Sequence, residues 1–125
     1  MRCELINLKS RKDEEIDHKT VIFKIYAVNV FDLGASEDLE LFMKTLIKGG
    51  VQKILVDMEG LEFIDSAGIS VIVNAAKAVR SRKGDIALLN VPERIDKIFK
   101  PLHLHRFINI FGNENDALKF FKVFA

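Results

Sequence analysis

The stretch VQKILVDMEGLEFIDSAGISVIVNAA, Val51–Ala76, decides the fold. It opens on Lys53–Asp57, a short Ile-Leu-Val run apolar enough to be a central strand. Met58 to Asp65 reads as a loop. Ser66 to about Arg82 reads as a helix with Ile69, Ile72, Val73, Ala76 and Val79 on one apolar face, stopped by Gly84. Asp85 to Asn90 is another apolar strand. Strand, helix and strand at this spacing form a βαβ unit, so the two strands should run parallel. The strand-to-helix loop is then the place to look for a functional site, because ligands tend to sit beyond the carboxyl ends of such strands.

Outward from this unit, Cys3 to Leu8 reads as a first strand and Lys9 to Lys19, with Asp13, Glu14 and Glu15, as an exposed loop. Thr20 to Val30 is rich in β-branched and aromatic residues and reads as one long strand, antiparallel to the first. Ser36 is placed as a helix N-cap, with Glu37 and Asp38 in the first turn where the helix dipole favours acids. Leu39, Phe42, Met43, Leu46 and Ile47 make one helical stripe, and Gly49-Gly50 ends it. Downstream, Pro92 suits the first position of a third helix with Ile95, Ile98 and Phe99 facing inward, ending before Pro101. Phe107 to Phe111 is placed as a short edge strand, and Asn113 or Asn115 as the cap of a last helix carrying Leu118, Phe121 and Phe124. The expected fold is α/β: a mixed sheet of four or five strands with about four helices.

The chain has 125 residues, 49% apolar and 30% charged, which suits a single domain over 1–125 with a real core. Its net charge of +1, from 19 basic and 18 acidic side chains, lacks the basic excess of a nucleic-acid binder. The local clusters Lys9, Arg11 and Lys12, and Arg80, Arg82 and Lys83, read as solvated charge on loops and helix ends. Cys3 is the sole cysteine, so no intrachain disulfide forms; this fits a reducing, cytoplasmic setting. Met1-Arg2-Cys3-Glu4 lacks the apolar block of a signal peptide, and no apolar run approaches the roughly 18 residues of a membrane span. Action at a membrane would go through a partner. His103 and His105 offer a metal two ligands with no third near in sequence, where three or four are needed, so neither metal nor cofactor is expected. His103 follows a helix, where a positive φ is often required, and some backbone strain or a shifted turn is expected there.

The loop and helix start carry a specific pattern. Asp57, Phe63, Asp65, Ser66, Ala67, Gly68 and Ile69 stand in an order and spacing that resembles the signature of the bacterial anti-sigma factor antagonists, the STAS domain family. The resemblance extends further. Asn29-Val30-Phe31-Asp32 stands where the family has Gly-x-Leu-Asp, keeping the acid and losing the glycine. Gly84-Asp85-Ile86-Ala87-Leu88-Leu89 matches a Gly-Gly-x-Leu-x-Leu strand entry, and Pro92-Glu93-Arg94-Ile95 a Pro-x-Val helix entry. His103-Leu104-His105 replaces a Gly-Leu-Asp turn, and Asn115-Asp116-Ala117-Leu118 stands for Glu-x-Ala-Leu. The likeness covers roughly Thr20 to Phe124.

The resemblance implies a non-catalytic binding module that uses no cofactor. Ser66 would be the serine phosphorylated by a partner anti-sigma factor that is also a serine kinase. The unphosphorylated form would bind that kinase and free the sigma factor. Asp32 and Asp65 would line the docking surface, with Ala67, Gly68, Ser70 and Asn74 as further contacts. The alternative from the same resemblance is an unphosphorylated scaffold or a transporter-associated subunit. The sequence does not fix the oligomeric state.

The residues support such a switch on physical grounds. Ser66 lies at or beside a helix N-cap, where unpaired N–H groups and the dipole favour an anion. A phosphate adds about −1.5 to −2 charges, which the helix end tolerates and an interface built around a neutral hydroxyl does not. Gly68 removes bulk from the first turn, Ile69 anchors the helix below, and Ser70 and Asn74 lie one and two turns on. Plainer roles remain open for the same residues: Ser66 or Asp65 as a simple cap, Asp32 as a turn residue before Gly34, Asp57 as a strand end. An esterase-like reading finds no Gly-x-Ser-x-Gly elbow, and its base would have to come from His103 or His105.

Overall fold

The computed structural model describes residues 2–7, 21–26, 30–31 and 33–124. Its strands are β1 (Arg2–Asn7), β2 (Val21–Tyr26), β3 (Val30–Phe31), β4 (Lys53–Asp57), β5 (Phe63–Ile64), β6 (Asp85–Leu89) and β7 (Asn109–Phe111). Its α-helices are α1 (Leu33–Lys48), α2 (Ser66–Arg80), α3 (Glu93–Phe99) and α4 (Glu114–Phe124), and short 3-10 turns cover Lys100–Leu102 and Leu104–Arg106.

The βαβ unit forms as its spacing requires. β4 and β6 run parallel, with Lys53 opposite Asp85 and Asp57 opposite Leu89. Every residue of both strands is buried, which is why neither shows polar alternation. β2 adds to β4 in parallel, β7 adds to β6 in parallel, and β1 pairs antiparallel with β2, Cys3 opposite Ile25. The sheet order is β1-β2-β4-β6-β7. The mixed sheet and its antiparallel N-terminal pair are as expected.

Side chains alternate across this sheet and feed two cores. Ile54, Val56, Ile86 and Leu88 face α1, α2 and α3, meeting Leu39, Met43, Ile47, Ile72, Ala76, Val79, Ile95 and Phe99. Ile22, Leu55, Ala87 and Leu89 face α4 and meet Ala117 and Phe121.

Several local expectations are corrected. The expected long strand Thr20–Val30 is divided: β2 stops at Tyr26, and Val30 belongs to β3, which pairs in parallel with β5. The expected loop Met58–Asp65 therefore contains a strand. α1 begins at Leu33, so Ser36 lies in its first turn instead of capping it. The buried face of α2 is Gly68, Val71, Ile72, Ala75, Ala76 and Val79, with Ile69 and Val73 only partly buried at its border. The helix ends at Arg80 because the chain must turn back into β6. Pro92 is the N-cap of α3 with φ −60° and ψ 150°, one residue before the helix. Ile98 is 37% exposed, since a helix of this length buries only Ile95 and Phe99. Asn113 is the cap of α4, its Oδ1 accepting from the Asp116 N–H at 2.9 Å. β7 is confined to Asn109–Phe111. The Lys9–Lys19 segment lies outside the described residues.

His103 adopts φ 54° and ψ 33°, the left-handed region, where the two 3-10 turns meet. The strain expected from a histidine in a glycine-favouring position is present. No helix among the described residues is long and apolar enough to cross a membrane.

Candidate functional site

The site is built where β4 ends. Asp57 is buried, and its Oδ1 accepts the Glu59 N–H at 3.0 Å, which turns the chain out of the sheet. Met58 donates its N–H to the Leu89 carbonyl at 2.8 Å, and Leu61 donates to the Met58 carbonyl at 3.0 Å. Met58, Leu61 and Ile64 point into the core while Glu59, Gly60, Glu62 and Phe63 stay exposed. β5 then pairs with β3, so the connection is pinned along most of its length.

Asp65 follows in extended conformation, φ −106° and ψ −177°, and is the N-cap of α2. Its Oδ1 accepts from the Gly68 N–H at 2.9 Å, satisfying one of the helix's unpaired donors. Ser66 is therefore the first helical residue and not the cap, and it is exposed. Ala67 is half-buried and Gly68 is buried. Ser70 and Asn74 are exposed and follow Ser66 at one-turn and two-turn spacing, so the three make one polar stripe down the solvent side of α2. Gly68 is buried in the first turn of α2, its N–H held by the Asp65 carboxylate. Asp32 lies outside the described residues.

The cap gives a direct test of Asp65. Asp65→Ala should cost about 1 kcal/mol, and Asp65→Ser, which keeps a capping oxygen, should recover most of it. Paired thermal melts check this; an unchanged midpoint for Asp65→Ala would remove the cap from the account.

Beneath the site lies an ion cluster that the sequence reading missed. Lys24, buried in the middle of β2, donates from Nζ to Glu114 Oε1 at 3.0 Å and stands 3.7 Å from Asp57 Oδ2. Asp57, read as a plain strand end, thus joins β2, the start of the site loop and the first turn of α4. The signal was available in Val21–Tyr26, where one lysine interrupts an apolar strand. At the other end of the sheet, buried Asp85 accepts from Arg80 Nε at 2.9 Å, and the Arg80 guanidinium lies over the Phe107 ring at 4.8 Å. His103 and His105 are exposed, with ring centroids 6.3 Å apart. Among the described residues no three His, Cys, Asp or Glu side chains are grouped to hold a metal.

A parallel-core sheet with a serine opening the helix after its central strand defines a class. Residues 6–117 match the STAS domain family, and the chain belongs to it. A Thermotoga neapolitana protein described as a candidate anti-sigma factor antagonist is 33% identical over 87 residues, covering 66% of this chain and 77% of that one. The anti-sigma-B factor antagonist of Staphylococcus aureus is 28% identical over 80 residues, covering 62% of this chain and 74% of that one. The solved structure of the Bacillus cell fate determinant SpoIIAA in its phosphorylated form superposes with a TM-score of 0.62 at 23% identity, covering 94% of this chain and 97% of that one. This last likeness speaks for the fold.

Proposed function

We propose that this chain is an anti-sigma factor antagonist. It docks on an anti-sigma factor with serine kinase activity, and phosphorylation of Ser66 ends that docking. The observation that carries the reading is the exposed Ser66 at the first position of α2, directly after an aspartate that has taken over the capping. The capping bond does not compete for the serine hydroxyl. A phosphate on it would meet the amino end of the helix, with its dipole and first-turn N–H groups, so the folded domain accepts the modification. A partner surface closed over a neutral hydroxyl would face a new dianion and lose its fit.

The docking surface of this proposal is Asp65, Ser66, Ala67, Ser70 and Asn74, with Asp32 added by family resemblance and Gly68 beneath. The relatives' names support the role. The reading places the protein in the cytoplasm, beside ATP, without catalysis of its own.

The test combines capture from the native cell with and without ATP, mass spectrometry of Ser66, and two variants. Ser66→Ala should bind and resist phosphorylation. Ser66→Asp should melt within about 2 °C of wild type, as surface changes usually do, and bind the kinase at least about a hundredfold more weakly. A Ser66→Asp chain that binds the kinase as tightly as wild type would remove the switch. Recovery of a transporter or large scaffold, with Ser66 unmodified, would replace the antagonist reading by the other family role.

A further inference from the structure

Phe63 is 49% exposed, whereas Ile64 beside it is 2% exposed. Strand alternation in β5 sends the isoleucine into the core and the phenyl ring to solvent. Single exposed apolar residues are ordinary, and Leu5, Leu41, Ile98 and Leu102 are exposed here as well. Phe63 differs from them in two ways. It is the aromatic member of that group. It also stands three residues before Ser66, so chain geometry alone keeps the two α-carbons within about 11 Å. One protein interface, at about 800 Å² per partner, spans far more than that. The segment is held by β3 on one side and by the Asp65 cap on the other, so little ordering is left to do on binding.

The two chain segments that follow β3 and flank β5 carry charge of one sign. Met58–Ala76 contains Glu59, Glu62 and Asp65 and no lysine, arginine or histidine. Leu33–Met43 contains Glu37, Asp38 and Glu40 and again no base. β3 and β5 run parallel and lead straight into α1 and α2, so both acidic segments open at the same end of the molecule. The bases Lys44, Lys48, Lys77, Arg80, Arg82 and Lys83 come later, in the second halves of these helices and just past α2. Asp65 has a local explanation as the N-cap of α2. Glu59 and Glu62 do not, because both lie in the connection before α2, exposed on either side of a buried leucine.

We infer that Phe63 is the apolar anchor of the docking surface, and that the partner presents a pocket for its ring bordered by lysine and arginine. This rests on the antagonist reading and specifies the partner surface that reading requires. An aromatic ring seated in a desolvated pocket is where binding energy concentrates, and complementary charge around it sets the rate of encounter.

The test uses the full chain and the partner recovered with the Ser66→Ala variant, identified by mass spectrometry and then produced alone. Its affinity and association rate are measured by surface plasmon resonance at low and at physiological salt. Phe63→Ala should weaken binding about thirtyfold with an unchanged melting midpoint, and Phe63→Tyr, which keeps the ring, should stay within about threefold. Leu102→Ala, at an exposed apolar residue beyond α3, should bind as wild type. Glu62→Lys should slow association, and more so at low salt. If Phe63→Ala melts early, Phe63→Gln replaces it. Wild-type affinity for the Phe63 variants alongside loss of binding by Ser66→Asp would overturn the anchor and leave the switch standing. Faster association of Glu62→Lys would overturn the basic partner surface. Weak binding by Phe63→Ala with wild-type binding by Ser66→Asp would keep the anchor and remove the switch.

Discussion

Gly84→Ala is expected to destabilise the fold by about 3 kcal/mol, the upper range for overpacking, and to lower the melting midpoint by roughly 10–20 °C. Gly84 is buried where the chain leaves α2 and enters β6. A methyl group there would overlap the Gln52 carbonyl oxygen and stand 2.8 Å from both the carbonyl carbon and the α-carbon of Gln52. All three atoms belong to backbone, so no side-chain rotation relieves the contact. Nor can the two segments separate easily, because the Asp85 N–H donates to that same Gln52 carbonyl at 2.8 Å and the Gln52 side chain donates to the Arg82 carbonyl at 3.1 Å. Gly112→Ala is the control: nothing lies within 4 Å of an added methyl, and the change should be neutral or mildly stabilising. Denaturant unfolding of both variants beside wild type decides the matter. A Gly84→Ala loss below about 1 kcal/mol would mean that the two strand entries are not in close contact.

Lys24→Met should cost about 3–5 kcal/mol, the range for removing one partner of a buried ion pair. Lys24 and Asp57 side chains are 9% and 6% exposed, so the aspartate left behind would be a buried anion facing apolar surroundings. Glu114 is 43% exposed and has water as an alternative, so Glu114→Gln should cost no more than about 1 kcal/mol. The double variant Lys24→Met with Asp57→Leu should recover part of the loss and not all of it, because Asp57 also accepts the Glu59 N–H that starts the site loop. Equilibrium unfolding of the three variants measures this. Equal small costs for Lys24→Met and Glu114→Gln would mean that the cluster behaves as a surface pair.

The parallel core was legible because its signals were local and dense. Lys53–Asp57, Ser66–Arg80 and Asp85–Leu89 each combine one period with one type of boundary, and the βαβ handedness rule allows one arrangement. What escaped had long-range causes. β3 and β5 have two residues each and exist because they pair with one another; neither Val30–Phe31 nor Phe63–Ile64 is long enough to show a period. The start of α1 at Leu33 was hidden by Ser36, whose good capping chemistry competed with the true boundary. The tilt of the buried face of α2 toward Val71 and Ala75 depends on where α1 packs, which periodicity alone leaves free by one residue. At the site, the motif put Asp65 and Ser66 side by side but could not say which of them caps. The answer came from an extended backbone at Asp65. Lys24, Asp57 and Glu114 are joined only by the pairing of β2 with β4 and the return of α4, so no window of sequence contains them together.

The connection bearing Ser66 leaves one fully buried strand and returns through α2 to another. Core strands such as these are among the last parts of a protein to open, and the connection is tied to them by the β3–β5 pairing and the Asp65 cap. An enzyme acting on Ser66 is therefore offered no extended peptide to thread into a cleft; it meets a helix end, a capped turn and a two-residue strand in fixed relation. Under the proposed switch such an enzyme would recognise a conformational epitope, one that a short peptide copied from Phe63–Asn74 should not reproduce and that is lost when the domain unfolds. If Ser66 is the switch proposed above, quality control is built into the signal: a chain that has lost its fold would be neither read nor marked.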